Sequence, residues 1–252
     1  MRKRKKIALL NDYQNIALEM ADWSQVIAIA DITVFTERFA SVYDAATALV
    51  SYDIMCLMRE RTPVPRDFIK RLSRLQLIAS TARHNASINT QAAADLGVAV
   101  AWREGLAYGT PELTWGLILS AMRRLPEELA SVRLGGWQTG VGSDIYGRTL
   151  GILGLGNVGK VVARVGSSFG MRVIARSQNL SPEMARSEDV IPVDKETLFR
   201  QADIVFLHMV LSEQTRHIVG ANELALMKPS AWLVNASRGP LVDDAALTSA
   251  LE

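Results

Sequence analysis

The sequence predicts an α/β protein made of two successive open units, each a sheet covered by helices. Three observations carry this expectation. Short apolar runs alternate with segments of helical period; one long helix and a glycine-rich arm interrupt the alternation, which then restarts; and a glycine turn follows the first strand of the restart. A length of 252 residues accommodates two such units.

In the first unit, residues 7–10, 32–35, 54–58, 75–79 and 98–102 are the expected strands. Phe68, Leu72 and Leu75 recur at helical spacing after Pro63 and Pro65. Cys56 lies in the apolar run at 54–58 and reads as a buried strand residue rather than a reactive thiol. Thr110-Pro111-Glu112 then offers an N-cap hydroxyl, a first-turn proline and an early acid, so a long helix is expected. Its apolar positions are Leu113, Leu117, Ile118 and Met122, with Arg123 and Arg124 in the last turn. The arm begins at Leu134-Gly135-Gly136-Trp137-Gln138, and Gly140 and Gly142 follow. Helix and arm mark the join between domains at 1–104 and 105–252. Residues 149–153, 173–175, 204–207 and 232–234 are the strands of the second unit.

Composition narrows the function classes. Hydrophobic residues at 49% and charged residues at 21% match a water-soluble globular chain. Five of the 28 bases are Arg2, Lys3, Arg4, Lys5 and Lys6, leaving 23 against 26 acids in the body, a balance of −3. No nucleic acid partner is therefore expected, because such a partner calls for a basic face across the fold. No apolar run approaches a bilayer span, and Asn11 and Asp12 break the first one too early for a secretion signal, so no membrane is expected. A single cysteine fits a reducing cytoplasm. No metal site is expected.

Gly154-Leu155-Gly156-Asn157-Val158-Gly159 gains meaning from its context. A buried-strand run ends at Gly154, while Val158, Val161, Val162, Val165 and Phe169 form one helical face directly afterward, closed by Gly170. Strand, glycine turn, helix and strand is the arrangement of a Rossmann dinucleotide-binding domain. Gly154 makes the turn, Gly156 lets the pyrophosphate approach, and Gly159 lets the helix pack closely. Amides near Asn157 and Val158 meet the phosphate. A merely close-packed turn is the alternative. After the next strand, an acid would select NAD, but Arg176-Ser177 stands there, 23 residues past Gly154 at Ser177. A guanidinium and a hydroxyl suit the 2′-phosphate of NADP, so NADP is preferred over NAD. Arg176 also reads as a solvated strand-end residue.

Further blocks extend across the chain: Gly136-Trp137, Gly147-Arg148-Thr149-Leu150-Gly151, Ala202-Asp203-Ile204-Val205, Leu207-His208, Thr215-Arg216-His217, Met227-Lys228-Pro229 and Asn235-Ala236-Ser237-Arg238-Gly239-Pro240-Leu241-Val242-Asp243. With these the sequence resembles the D-isomer-specific 2-hydroxyacid dehydrogenase family. Met58-Arg59-Glu60-Arg61-Thr62-Pro63 and Asn85-Ala86-Ser87-Ile88 resemble one sub-branch of it. The resemblance implies a flavodoxin-like open α/β substrate domain before the Rossmann domain, with a small 2-oxo acid reduced to a D-2-hydroxy acid or the reverse. It implies Arg238 as the catalytic arginine. Ala82, Arg83 and His84 align with the loop that holds the substrate carboxylate, although that loop commonly carries smaller residues. His208, Val210, Thr215, Ala236, Ser237 and Arg238 itself join the glycine turn as cofactor neighbours. The arm around Trp137 implies a homodimer.

The residues themselves agree on Arg238, which lies just beyond a strand, where open α/β sheets bind ligands. Its fork suits a carboxylate and an adjacent ketone, although a capping or ion-paired arginine fits the same position. Arg59 and Arg61 either face an acidic substrate or lie on a solvated surface, and the same choice holds for His84. His217 reads as structural. The family's proton-donating histidine and its acidic partner come later in the family pattern than Arg238, beyond Glu252 in this numbering. The 252-residue form is accordingly expected to be impaired. Two other functions fit the scaffold: a catalytically silent dinucleotide sensor, and an enzyme that oxidises a small inorganic or one-carbon acid.

Overall fold

The structure, a computed structural model, describes residues 4–81, 85–103 and 108–252. The chain divides into two compact units, Met1–Gly105 and Leu106–Glu252.

The first unit holds strands β1 (Lys5–Leu10), β2 (Ala30–Phe35), β3 (Ile54–Leu57), β4 (Leu77–Ser80) and β5 (Ala99–Trp102), and helices α1 (Ser24–Ile27), α2 (Val42–Leu49), α3 (Arg66–Arg71) and α4 (Thr90–Asp95). All strand pairs are parallel, in the order β2-β1-β3-β4-β5, which is flavodoxin-like. Local chemistry starts the helices: the Ser41 hydroxyl accepts the amide of Asp44, and the Asn89 side chain accepts the amide of Ala92. Leu10, Met55, Leu57, Phe68 and Ile78 fill the core. Asp53, 3% exposed, sets the register at the amino end, where its Oδ2 accepts the amide of Lys6 at 2.8 Å and Arg74 donates to its Oδ1 at 3.0 Å. Cys56 is half-buried, not fully buried, because alternate residues of β3 face the core and only Met55 and Leu57 point into it. Burial still pushes its thiol up to about 11.

The second unit opens with α5 (Gly109–Met122) and α6 (Leu125–Arg133). Here the sequence expectation needs correcting at both ends. Tyr108 is the N-cap, so Thr110 lies inside the first turn and its carbonyl accepts the Thr114 hydroxyl. First-turn amides need no helical acceptor, which lets Pro111 sit two positions deeper than expected. Arg123 is the C-cap and Arg124 is left-handed, φ 53°, between two helices. Pro126 has no amide to bond back to Met122, so the first helix stops, and the Met122 carbonyl accepts the amide of Ser143 instead.

The glycine-rich arm folds back on α6. Glu128 accepts amides from Thr139 and Gly140, and Ser131 donates to the Trp137 carbonyl at 2.6 Å. Beyond it run β6 (Thr149–Leu153), α7 (Asn157–Ser168), β7 (Arg172–Arg176), α8 (Pro182–Ser187), β8 (Ile191–Pro192), α9 (Lys195–Gln201), β9 (Ile204–Leu207), α10 (Ala221–Leu226), β10 (Trp232–Asn235) and α11 (Asp244–Leu251). The sheet is parallel in the order β10-β9-β6-β7-β8, the doubly wound Rossmann arrangement. The two-residue β8 was absent from the expected strands; it carries Pro192 and survives only as an edge. Asp203 repeats the device of Asp53: its Oδ2 accepts the Thr149 amide at 2.8 Å and its Oδ1 accepts Lys228 at 2.8 Å. Burial alone would raise this carboxyl, but those two donors hold it below the usual carboxylate range.

Candidate functional site

The order of the second sheet reverses between β6 and β9, and the glycine turn leaves β6 at that point. Gly154 is left-handed, φ 104°, and its amide donates to the Arg176 carbonyl. A Cβ on Gly154 would stand 2.3 Å from the His208 carbonyl oxygen, and one on Gly159 would stand 2.4 Å from the carbonyl oxygen of Gly154. Only glycine fits either place. Above Gly156, by contrast, nothing lies within 4 Å of a would-be Cβ. Gly156 is the N-cap of the twelve-residue α7 and offers no side chain to it. The first-turn amides at Asn157 and Val158 therefore face open space with the positive end of the helix dipole behind them. An anionic pyrophosphate fits this cradle.

At the end of β7, Arg176 is exposed and its guanidinium donates to the Ser177 carbonyl at 2.7 Å. No carboxylate occupies the two positions.

The ends of β9 and β10 are tied together by a polar turn. The Asn235 side chain accepts the amide of Ser237 and donates to the Arg238 carbonyl at 2.9 Å, while the Ser237 hydroxyl donates to the Met209 carbonyl at 2.9 Å. Arg238 is thus delivered half-buried, just past the carboxyl end of β10. His208 stacks on Phe206 with ring centroids 5.9 Å apart, and its Nδ1 is buried without a hydrogen-bond partner. Burial, then the positive charge of Arg238, pushes its pKa down, so the imidazole stays neutral at pH 7. Ala236 packs against the second-unit core, Val210 is 78% exposed, and the Thr215 hydroxyl donates back to the Val210 carbonyl.

The structure thus gathers Gly154, Gly156, Asn157, Val158, Gly159, Arg176, Ser177, His208, Val210, Ala236, Ser237 and Arg238 at the carboxyl ends of β6, β7, β9 and β10, with Thr215 in the loop after β9. Ala82, Arg83 and His84 lie outside the described residues. His217 is remote in role: its Nδ1 lies 3.7 Å from Asp243, which caps α11 through the amides of Ala245 and Ala246. Asn235 went unassigned at the level of sequence. Its signal is the Asn-x-Ser spacing of an Asx turn. No group of three or more metal-ligating side chains exists among the described residues, and no helix among them is long and apolar enough to cross a membrane.

A parallel sheet in this order, with a glycine cradle at its switch point and a bare helix N-terminus facing it, defines a dinucleotide-binding α/β protein. Residues 115–252 match the family model described as the D-isomer specific 2-hydroxyacid dehydrogenase NAD binding domain. A glyoxylate reductase of Aeropyrum pernix is 40% identical over 195 residues, 73% of this chain and 58% of that protein. A D-3-phosphoglycerate dehydrogenase of Methanocaldococcus jannaschii is 36% identical over 200 residues, 78% of this chain and 38% of that one. The crystal structure of a phosphoglycerate oxidoreductase from Vibrio cholerae superposes with a TM-score of 0.91 at 34% identity, covering 98% of this chain and 80% of that one. The chain belongs to the D-isomer-specific 2-hydroxyacid dehydrogenase family.

Proposed function

We propose that the chain binds a nicotinamide dinucleotide along the carboxyl edge of the second sheet and interconverts a small 2-oxo acid and its D-2-hydroxy acid. The observation that carries this reading is the place of Arg238, locked by Asn235 and Ser237 at the end of β10, in the sheet whose switch point bears the glycine cradle. The first unit, 1–104, serves as the substrate domain and 105–252 as the cofactor domain. Ala82, Arg83 and His84 hold the substrate carboxylate from the first. A glyoxylate reductase and a D-3-phosphoglycerate dehydrogenase among the relatives support the substrate class.

When bound, the nicotinamide supplies or accepts a hydride. The chain supplies the rest. Amides of Asn157 and Val158 bind the pyrophosphate, and Gly156 leaves room for it. Arg176 and Ser177 face the adenine ribose, favouring NADP over NAD. The fork of Arg238 grips the substrate carboxylate and the carbonyl oxygen, stabilising the charge that develops on that oxygen. The alkoxide then needs a proton. His208 is held neutral and buried, and His217 is engaged at a helix cap, so neither described histidine is built as the donor. Leu134, Trp137 and Val141, each more than 80% exposed, suit burial against a second copy of the chain in a homodimer.

Following cofactor absorbance with glyoxylate, pyruvate and hydroxypyruvate tests the reading. Turnover of at least one, lost in Arg238→Ala, is expected. Dinucleotide binding with no turnover across a broad 2-oxo acid panel would instead favour a sensor.

A further inference from the structure

His208 and Arg238 stand at the carboxyl ends of neighbouring strands in the second sheet. The ladder between β9 and β10 ends with Leu207 opposite Asn235, so His208 and Ala236 come next on each side and Arg238 follows two residues later. Neither residue hangs on a loose loop. The His208 amide donates to the Leu153 carbonyl at 3.0 Å, and its own carbonyl packs on Gly154. Ser237, next to Arg238, donates its hydroxyl at 2.9 Å to the carbonyl of Met209, next to His208. Imidazole and guanidinium therefore grow from one cross-linked patch of backbone.

The surroundings of the imidazole are almost free of charge. β6 brings Leu153 and Gly154 to it, and β9 brings Phe206, on which it stacks with ring centroids 5.9 Å apart. Glu213 and Arg216, the charged residues of its own loop, are exposed. Among the described residues, Arg238 is the charged group that acts on the ring. The Nδ1 atom is buried with no hydrogen-bond partner, so a protonated ring gains no compensating acceptor there. Burial first, and the guanidinium second, hold the His208 pKa down. Burial is fixed by the fold, whereas the guanidinium's repulsion ends when an anion pairs with it.

We propose, on the reading of Arg238 as the carboxylate anchor, that His208 makes substrate binding proton-linked: when a 2-oxo acid carboxylate pairs with Arg238, the imidazole takes up a proton from solvent. No bond to the substrate forms or breaks in this step. By reciprocity, a proton that the anion helps to bind also helps to bind the anion. In the empty site the ring stays neutral until the pH lies below the ordinary imidazole value of about 6.5; with the anion bound it charges at a higher pH than before. Carboxylate affinity is thus flat above about pH 7.5 and rises as pH falls through about 6.5. The ligand's carboxylate stays ionised across this range, so the added proton is the protein's.

Titration calorimetry with oxamate, an unreactive amide analogue of a small 2-oxo acid, tests the proposal on the full chain holding reduced dinucleotide. Two buffers of unequal ionisation heat read the proton directly. Wild type is expected to take up a fraction of a proton per oxamate near pH 6, almost none near pH 8, and to bind about threefold tighter at the lower pH. His208→Gln should lose both the uptake and the pH dependence, while His217→Gln should keep them. Imidazole NMR of wild type gives a reading that needs no variant: oxamate should move the His208 titration to higher pH. Oxamate that binds without proton uptake, or that leaves the His208 titration where it was, overturns the proposal and spares the reading of Arg238. Uptake that survives in His208→Gln also overturns it and passes the proton to another group. Oxamate that fails to bind wild type at either pH removes the reading of Arg238 as the anchor and this proposal with it.

Discussion

The His208 carbonyl oxygen occupies the place where a Cβ on Gly154 would project, at 2.3 Å, so the first residue after β9 is packed directly onto the turn after β6. Gly154 also has φ 104°. Gly154→Ala is therefore expected to cost on the order of 3 kcal/mol, combining backbone strain with overpacking. Gly156→Ala meets nothing within 4 Å and starts from φ −87°, so its stability should change by about 0.5 kcal/mol or less. Its dinucleotide affinity should nevertheless fall, because the methyl occupies the approach to the α7 amides. Urea midpoints and fluorescence titrations separate the two outcomes. Equal loss of stability in both variants would contradict this division of roles.

Nucleotide choice is the second expectation. Arg176 is exposed, and its guanidinium bonds to the neighbouring Ser177 carbonyl, so its charge is available to a 2′-phosphate. NADP should bind tighter than NAD, and Arg176→Ala should weaken NADP about tenfold or more while leaving NAD nearly unchanged. Tenfold tighter NAD binding by wild type would make Arg176 a bystander.

Much of this architecture was legible in the sequence because burial on both faces of a parallel sheet leaves uninterrupted apolar runs. Residues 149–153 and 204–207 read directly as β6 and β9, whose residues are all buried in the second sheet. Edges were harder. β5 and β8 are largely exposed, and short edge strands carry weak patterns. The break at Arg123 and Arg124 was missed because the apolar and helix-forming pattern continues to Leu129, and only Pro126 signals the stop. Within the candidate site, the glycines announced themselves through spacing. The bond that ties the Asn235 turn to the end of β9, from the Ser237 hydroxyl to the Met209 carbonyl, did not, since it joins residues 28 apart in the chain.

His208 gives the protein a pH signature. Its pKa is lowered in the fold, by burial first and by Arg238 second. As pH falls through the ordinary imidazole value of about 6.5, the unfolded chain takes up a proton that the folded chain refuses. Its contribution to stability is thus full above that value and erodes below it. His208→Gln should flatten the fall in thermal midpoint between about pH 7 and 5. The same slope in variant and wild type would mean that other groups set it.

The arm predicts assembly. Leu134 is 89% exposed and Trp137 81%, in a segment that Glu128 and Ser131 hold in shape rather than leave loose. Sedimentation at micromolar concentration should show a dimer, and Trp137→Ser should shift it toward monomer. A wild-type chain that sediments as monomer would remove the homodimer.

The reacting centre rests on Arg238. Its backbone is fixed through Asn235 and through the Ser237 bond to Met209, so replacing the side chain should leave the turn and the glycine cradle intact. Arg238→Ala should therefore bind dinucleotide as wild type does. Its kcat/KM for the best 2-oxo acid should fall by a factor on the order of 10² to 10³, because the developing oxyanion and the carboxylate lose a shared anchor. Arg238→Lys should restore charge without the fork, recovering substrate affinity more than kcat. The neutral state of His208 adds a check: relief from the guanidinium charge should raise the His208 titration in Arg238→Ala, visible by imidazole NMR. A variant that loses turnover while His208 fails to move would mean that the guanidinium does not sit beside the imidazole, and the geometry assigned to this centre would have to be abandoned.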